Sequence, residues 1–417
     1  MRKPVFPIFV AAFVTLPGIT AVVIHAELSA PLTALLAGGS IMAAAFLLVW
    51  ACDAAQADVS QGLALAAVAL IAVLPEYAVD MYFTWQAGKF PEADYSQYAI
   101  ANMTGANRLI IGVAWALVAI IFWVKTRRQV VLDEERRLEV RFLAVATLYA
   151  LLIPLKGTLA WYDGIVFLGI FTWYIVLAAR RPQCEPEARG PGAYLCSLPC
   201  ATRRVWTILL FVFAAATIVA NAEHFCEGLV GTGKAFGINE FLLVQWLAPL
   251  ASEAPEFVVA ILFALRAEAG LALGSLLSAK LNQWTLLVGM IPGVFAVSAG
   301  TLQHPLPMGH FQMQEIFLTA AQSLLAVVIL STLRLSIGQA ALLFALFAGQ
   351  LVAPEVVEAC CGGQVMGLHS EQMHVLFAFF YLMAVFTLLV DQPQRLRHLF
   401  LSRRLEARQE PTDYPRL

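Results

Sequence analysis

Leu74-Pro75-Glu76 and, some 180 positions later, Ala254-Pro255-Glu256 each stand in the middle of a long apolar run. A proline followed by an acid is costly at the depth of a bilayer, so a second copy is hard to ascribe to chance. Each is followed by a second apolar run of small and amide residues: Ala101-Asn102-Met103-Thr104-Gly105-Ala106-Asn107 and Gly274-Ser275-Leu276-Leu277-Ser278-Ala279-Lys280. A repeated interrupted helix of this kind points to an internally duplicated transporter with its ion site where the copies meet.

The rest of the chain agrees with a membrane setting. Of 417 residues, 60% are hydrophobic and only 13% charged, about half the charge usual in a soluble protein, and the mean hydropathy is +0.77. The net charge of -2 says little, because its distribution matters more than its sum. Twelve candidate spans fall near residues 5–26, 31–52, 60–86, 96–124, 138–155, 159–180, 205–229, 238–266, 268–299, 312–333, 337–355 and 373–391. The first is too long for a signal-peptide core and lacks a small-x-small cleavage site, so it reads as a retained helix.

Basic residues orient the spans. Lys125, Arg127, Arg128, Arg136 and Arg137 share one loop; Arg180, Arg181, Arg203 and Arg204 flank another; Arg395, Arg397, Arg403, Arg404 and Arg408 follow the last helix. Twelve crossings put all three clusters on one side with Arg2-Lys3, so both termini are expected in the cytoplasm of a bacterial-type inner membrane. Residues 181–204, with five prolines and glycines before Pro199, form the linker. Helices two to six precede it and seven to eleven follow. Five spans per half invert the second half relative to the first. The expected fold is therefore an all-α polytopic membrane protein. It comprises an extra N-terminal helix (1–30), one five-helix repeat (31–180), the cytoplasmic linker (181–204), an inverted second repeat (205–355), and an extra helix with a basic tail (356–417). The segment Gln394 to Leu405 is basic and roughly amphipathic; it suits the inner leaflet or an ordinary solvated tail equally.

An ionisable residue inside a membrane is a functional candidate by default, since an unpaired charge there costs at least ~2.5–3.5 kcal/mol. Glu76 and Glu256 lead. Each preceding proline lacks an amide donor, which frees the carbonyl four residues before it, at Ile71 and Ala251. A free carbonyl beside a carboxylate is a hard-oxygen site suited to Na+ or Ca2+. Asp80 lies a turn beyond Glu76, and Glu253 lies a turn before Glu256. Two close carboxylates cannot both ionise cheaply without a cation between them. One is therefore protonated or a base stands near. Lys280 is the expected partner of Glu253 or Glu256, as a structural salt bridge or as a built-in cation that exchanges for a transported one. Arg108 is expected either to form an inward-facing structural pair with Asp80 or Glu76 or to take a role in transport. Asn102, Asn107, Ser252, Ser275, Ser278 and Asn282 offer neutral oxygens, although small and amide residues also serve close helix packing in lipid.

Other features carry less. Seven cysteines in a chain this long form no disulfide framework. Cys184, Cys196 and Cys200 lack a second Cys/His pair for a metal, and Cys360-Cys361 is expected in an outer loop. Glu223, His224 and Glu227 are expected near an outer vestibule, structural rather than metal-binding. With no His-Glu-x-x-His and no Gly-rich phosphate loop, neither an intramembrane metalloprotease nor an ATP-driven pump has a basis, and no enzyme activity or cofactor is expected.

These residues resemble the α repeats of the Ca2+/cation antiporter superfamily, which includes Na+/Ca2+ and Ca2+/H+ exchangers. That repeat reads roughly Gly-Thr-Ser-x-Pro-Glu, then Gly-Asn-x-x-Gly-Ser-Asn. Here the copies are Ile71-Ala72-Val73-Leu74-Pro75-Glu76 and Ala251-Ser252-Glu253-Ala254-Pro255-Glu256, each with its small-residue run. The resemblance implies that Glu76 and Glu256 are the two central ion-binding glutamates, with Asn102 and Ser275 as matched polar ligands. It departs at Ala72 and Val73, which replace hydroxyls, at Glu253, which replaces a serine, and at Lys280, which replaces the last asparagine. The site thus trades hydroxyls for an extra acid and one or two bases. That argues against a multi-Na+ site and for proton-coupled exchange. The implied function is alternating-access antiport of Ca2+ or Na+ against H+, with the lipid bilayer and cations as partners and no nucleic acid. The rival is a non-transporting relative, its site locked by Lys280 and Arg108, acting as a sensor or structural partner. Bases in the site also leave an anion or organic cation open as the solute.

Overall fold

The computed structural model describes residues 5–58, 73–180, 190–361, 364–365, 368–369 and 372–400. They form an all-α bundle. Its helices are α1 (Phe6–Val23), α2 (Ala30–Gln56), α3 (Leu74–Lys89), α4 (Tyr95–Thr126), α5 (Glu134–Lys156), α6 (Trp161–Ala178), α7 (Pro191–Cys196) and α8 (Cys200–Phe236). They continue as α9 (Glu240–Ser252), α10 (Ala254–Leu265), α11 (Ala269–Ala299), α12 (His310–Leu330), α13 (Ile337–Cys361), α14 (Met373–Asp391) and α15 (Gln394–Phe400). Among the described residues ten helices are long and apolar enough to cross a membrane, and eleven if α9 and α10 count as one bent span. The chain is a multi-pass membrane protein.

Local chemistry sets the boundaries. Asn239 starts α9 by accepting the amide of Phe241 at 2.9 Å, which satisfies one of the orphan donors of a helix start. Gly237, at φ 66°, ends α8 in the left-handed conformation that only glycine adopts cheaply. No proline interrupts the sequence between Cys200 and Phe236, so α8 runs past both ends of the expected 205–229 span. α13 likewise overruns its expected 337–355 span: it continues through Pro354 to Cys361, so Cys360 and Cys361 end a helix instead of lying in a loop.

Packing brings the interrupted helices together. α4 meets α9 where a Cβ on Gly105 would lie 1.9 Å from the Gln245 carbonyl, so only glycine permits the approach. Both α4 and α11 contain a π-helical turn, at Ile110–Trp115 and Gln283–Leu287. At the end bearing the basic loops, β1 (Val130–Val131) pairs antiparallel with β2 (Arg334–Leu335), joining the loop after α4 to the loop after α12. There too Arg395 of α15 is buried and donates to the carbonyls of Val328 and Ile329 at 2.9 and 3.1 Å. One base of the tail therefore caps a core helix and does not reach lipid; residues 401–417 lie outside the described ones. So do 181–189 of the linker. In its remainder α7 packs on α2, and Arg203 grips Asp58 through two 2.7 Å bonds.

Candidate functional site

Prolines stand in the first turn of both site helices. Pro255 has no amide to donate, and the chain bends by 59° between α9 and α10 with Glu253 at the joint. In the first copy, α3 starts at Leu74 with Pro75 in its first turn; Ile71 and Ala72 lie outside the described residues. Glu76 and Glu256 consequently each occupy the first turn of a helix, where the positive end of the helix dipole favours a carboxylate.

Four of the expected residues converge on one cavity of ≈ 10 Å³ between the breaks: Glu76, Ser252, Glu253 and Glu256. That is room for a single small ion or water. Glu76 and Glu253 are buried, while Glu256 is partly exposed. A residue missed in the sequence joins them. Gln283 donates its amide to Glu76 Oε2 at 2.8 Å and to Glu253 Oε1 at 2.6 Å, which bridges the two copies. The π-helical turn beginning at Gln283 delivers it; such turns insert one extra residue and cluster at functional sites. Four oxygens remain buried without a partner: Glu76 Oε1, Glu253 Oε2, Glu256 Oε2 and Gln283 Oε1. A buried oxygen without a donor is costly, and a set of them is what a hard cation satisfies. Ser252 instead turns its hydroxyl back to the Ala248 and Pro249 carbonyls. Among the described residues, no three His, Cys, Asp or Glu side chains are close enough to enclose a metal ion, so in this conformation the acids surround the cavity without closing on it.

Other candidates lie elsewhere. Asp80 is buried and accepts Asn102 Nδ2 at 2.6 Å outside the cavity, while Asp80 Oδ2 and Asn102 Oδ1 stay buried without a partner. Ser275 is exposed and donates to Ala272 of its own helix. Lys280 does not ion-pair with Glu253 or Glu256. Its ammonium reaches across to Asn107 Oδ1 at 2.7 Å and sits 4.3 Å from the Trp284 ring centroid. Arg108 pairs neither with Asp80 nor with Glu76, but with Glu315 of α12, and lies over the Trp246 ring. Position on the helix explains both. The turn of α4 that carries Asn107 and Arg108 faces α11 through the first and α12 through the second. Ser278 serves a second buried acid, Glu139, which also binds Arg136. Glu227 accepts the hydroxyls of Tyr82 and Tyr95 at 2.8 Å each and so acts as a structural clamp beside the exposed Glu223 and half-buried His224.

Glu315 was detectable in the sequence: an acid inside the apolar run 312–333 meets the same criterion that selected Glu76. Gln283 was not, because nothing in a lone amide announces a π turn.

Comparison with known proteins follows the same two halves. The sodium/calcium exchanger protein family profile matches residues 29–180 and 206–354. The crystal structure of the H+/Ca2+ exchanger CAX superposes with a TM-score of 0.88 at 41% identity, covering 98% of this chain and 100% of that one. The sodium-calcium exchanger NCX_Mj shares the fold at TM-score 0.51 and 18% identity, over 81% of this chain and 99% of its own. CaxA of Alkalimonas amylolytica is 24% identical over 241 residues, 56% of this chain and 70% of that protein.

Proposed function

The chain belongs to the sodium/calcium exchanger family of cation antiporters, and from that premise we propose that it exchanges Ca2+ against H+ at the cavity between Glu76, Glu253 and Glu256. The observation that carries this reading is the donor set: three carboxylates and an amide around room for one ion, with no hydroxyl turned inward. Three acids this close cannot all stay ionised once a cation departs. Each release of Ca2+ therefore calls for proton uptake, and each proton loss prepares a site for the metal. Hard carboxylate and amide oxygens suit Ca2+. The 41% identical relative is itself an H+/Ca2+ exchanger.

In this reading residues 31–180 and 205–355 act as inverted five-helix halves flanking the site, with both termini cytoplasmic. Alternating access exposes the cavity to each side in turn. To hold Ca2+, Gln283 turns its oxygen inward while Glu76, Glu253 and Glu256 close on the ion. The locked-site alternative loses its mechanism, because Arg108 is taken up by Glu315 and Lys280 by Asn107.

The test is Ca2+ flux into liposomes carrying the purified protein under an imposed pH gradient. Wild type moves Ca2+ against H+, and Glu76→Gln lowers the flux at least about a hundredfold, since even outer-shell changes at metal sites cost ~10–100-fold. Flux of neither Ca2+ nor Na+ in wild type, or wild-type flux in the variant, sinks the reading.

A further inference from the structure

A second cavity, of ≈ 150 Å³, opens at the end of the bundle opposite the basic loops. Phe311 and His374, in the first turns of α12 and α14, stand in its wall, whereas β2 follows the far end of α12. The cavity lies between α4, α9, α12, α13 and α14 and shares no wall residue with the cation site. Its mouth carries Glu355 and Glu358 of α13, both exposed. Exposed carboxylates belong in water or among headgroups and not in hydrocarbon.

The bases in the wall are Arg108 and His374, and both face the buried Glu315. Arg108 is ion-paired with that acid, and His374 Nε2 lies 3.2 Å from its Oε1. Arg108 is thereby matched, so the rim carboxylates make the mouth negative. Deeper on α13, Gln350 is 2% exposed with neither amide atom partnered, and Trp246 Nε1 of α9 is buried and likewise unpartnered. Unpaired buried polar atoms are costly. These two side chains therefore offer N–H donors and one carbonyl acceptor to whatever fills the cavity. Gln350 and Glu355 stand five positions apart on one helix, ~7.5 Å along its axis, so one short molecule reaches both.

We propose that this cavity is a binding site for a short amino alcohol: its ammonium rests at the rim against Glu355, with Glu358 beside it, and its hydroxyl reaches Gln350 and Trp246. A hydroxyl both donates and accepts, so it answers the Gln350 oxygen and one of the buried N–H donors together. An ammonium at the depth would answer the oxygen alone and would meet Arg108, which disfavours a diamine. The same N–H donors and guanidinium turn away a bare metal ion, and the rim carboxylates turn away an anion. An apolar cavity of about 150 Å³ holds benzene, so this volume suits a chain of about six heavy atoms. The site does not depend on which cation the chain exchanges.

The experiment is a calorimetric titration of the purified full-length protein in detergent and an amine-free buffer. Its probe is aminobutanol with amine and hydroxyl at opposite ends. The probe binds once per chain with a Kd of about 1 mM or tighter, an affinity within reach of six heavy atoms. Pentylamine, which lacks the hydroxyl, and butanediol, which lacks the charge, each bind about tenfold more weakly, the scale of one hydrogen bond left unmade. Putrescine, with a second ammonium in place of the hydroxyl, also binds more weakly. Gln350→Leu keeps the pentylamine affinity and erases the preference for aminobutanol over it. Glu355→Gln weakens both amines about tenfold and leaves butanediol unchanged. No heat from aminobutanol well above that Kd means that water alone fills the cavity, which overturns the site. Tighter binding of putrescine, or a preference for the hydroxyl that survives Gln350→Leu, overturns it too. Should Gln350→Leu lose pentylamine as well, Glu355→Gln decides, since it alters only an exposed side chain: a loss confined to the amines upholds the site, and unchanged amine affinity overturns it.

Discussion

The two small-residue helices, α4 and α11, match each other in sequence and diverge at the positions that touch. The alignment that sets Asn102 against Ser275 also sets Asn107 against Lys280 and Ile110 against Gln283. Matched residues of the two copies therefore meet: Lys280 bonds to Asn107, and Ile110 and Gln283 open the π turns of their helices and line the same cavity. What the copies share is backbone, a helix start at Pro-Glu and a π turn after it. What they do not share is polarity. At both matched pairs the second copy supplies the stronger hydrogen-bonding group, an ammonium against an amide and an amide against a hydrocarbon. In the proposed reading, duplication fixes where the chain can leave the helix, and divergence puts the selective chemistry on one side.

That asymmetry breaks most readily at Gln283. Gln283→Ile gives the second copy the side chain of the first and removes the donor that bridges Glu76 and Glu253. Ca2+ affinity measured by calorimetry falls about 10–100-fold, the range for losing a group that orients or completes a metal site. An affinity equal to wild type would show that the bridge is packing and that the acids position themselves.

Lys280 gives the next largest effect and separates its two roles. If the ammonium is a built-in cation, its field opposes the incoming metal, and Lys280→Asn raises Ca2+ affinity about tenfold, the scale of one screened charge at short range. If it is a structural strut, removing it costs Asn107 its donor, and affinity and thermal stability fall together. Calorimetry and a melting curve on the same protein decide, because the sign of the affinity change differs between the two.

The repeated Pro-Glu pair revealed the polytopic fold and the acids of the cavity in the sequence because prolines and buried acids are expensive in lipid wherever they occur. The partners of the bases could not be read in the same way. Lys280 and Arg108 each lie on the helix that follows the expected acids, yet each reaches whichever helix its own face meets, Asn107 on α4 and Glu315 on α12. A span pattern gives helix order and depth; it does not give azimuth. The π turns compound this, since each rotates everything after it by an amount that a 3.6-residue period does not contain.

The matched first helices of the two halves, α2 and α8, supply the smallest test. They are joined at the linker by Asp58, just past α2, and Arg203 near the start of α8. The guanidinium's hydrogen bonds hold the Asp58 carboxyl well below the usual carboxylate range. A depressed folded value means that the contribution is fully present above the unfolded carboxylate value, about 3.9, and is lost as pH falls through the depressed one. At neutral pH Asp58→Asn therefore forfeits the whole contribution, whereas in strong acid wild type and variant converge. The half-buried position at the surface of the bundle keeps the effect small and salt-sensitive. Hydrogen exchange of the amides in α7, which packs on α2 beside this pair, reads it locally: faster exchange in the variant at neutral pH, closing toward wild type in acid or high salt. Equal exchange at neutral pH would mean that α7 is held by its apolar contacts alone, and that the two halves are tied through the membrane core and not through the linker.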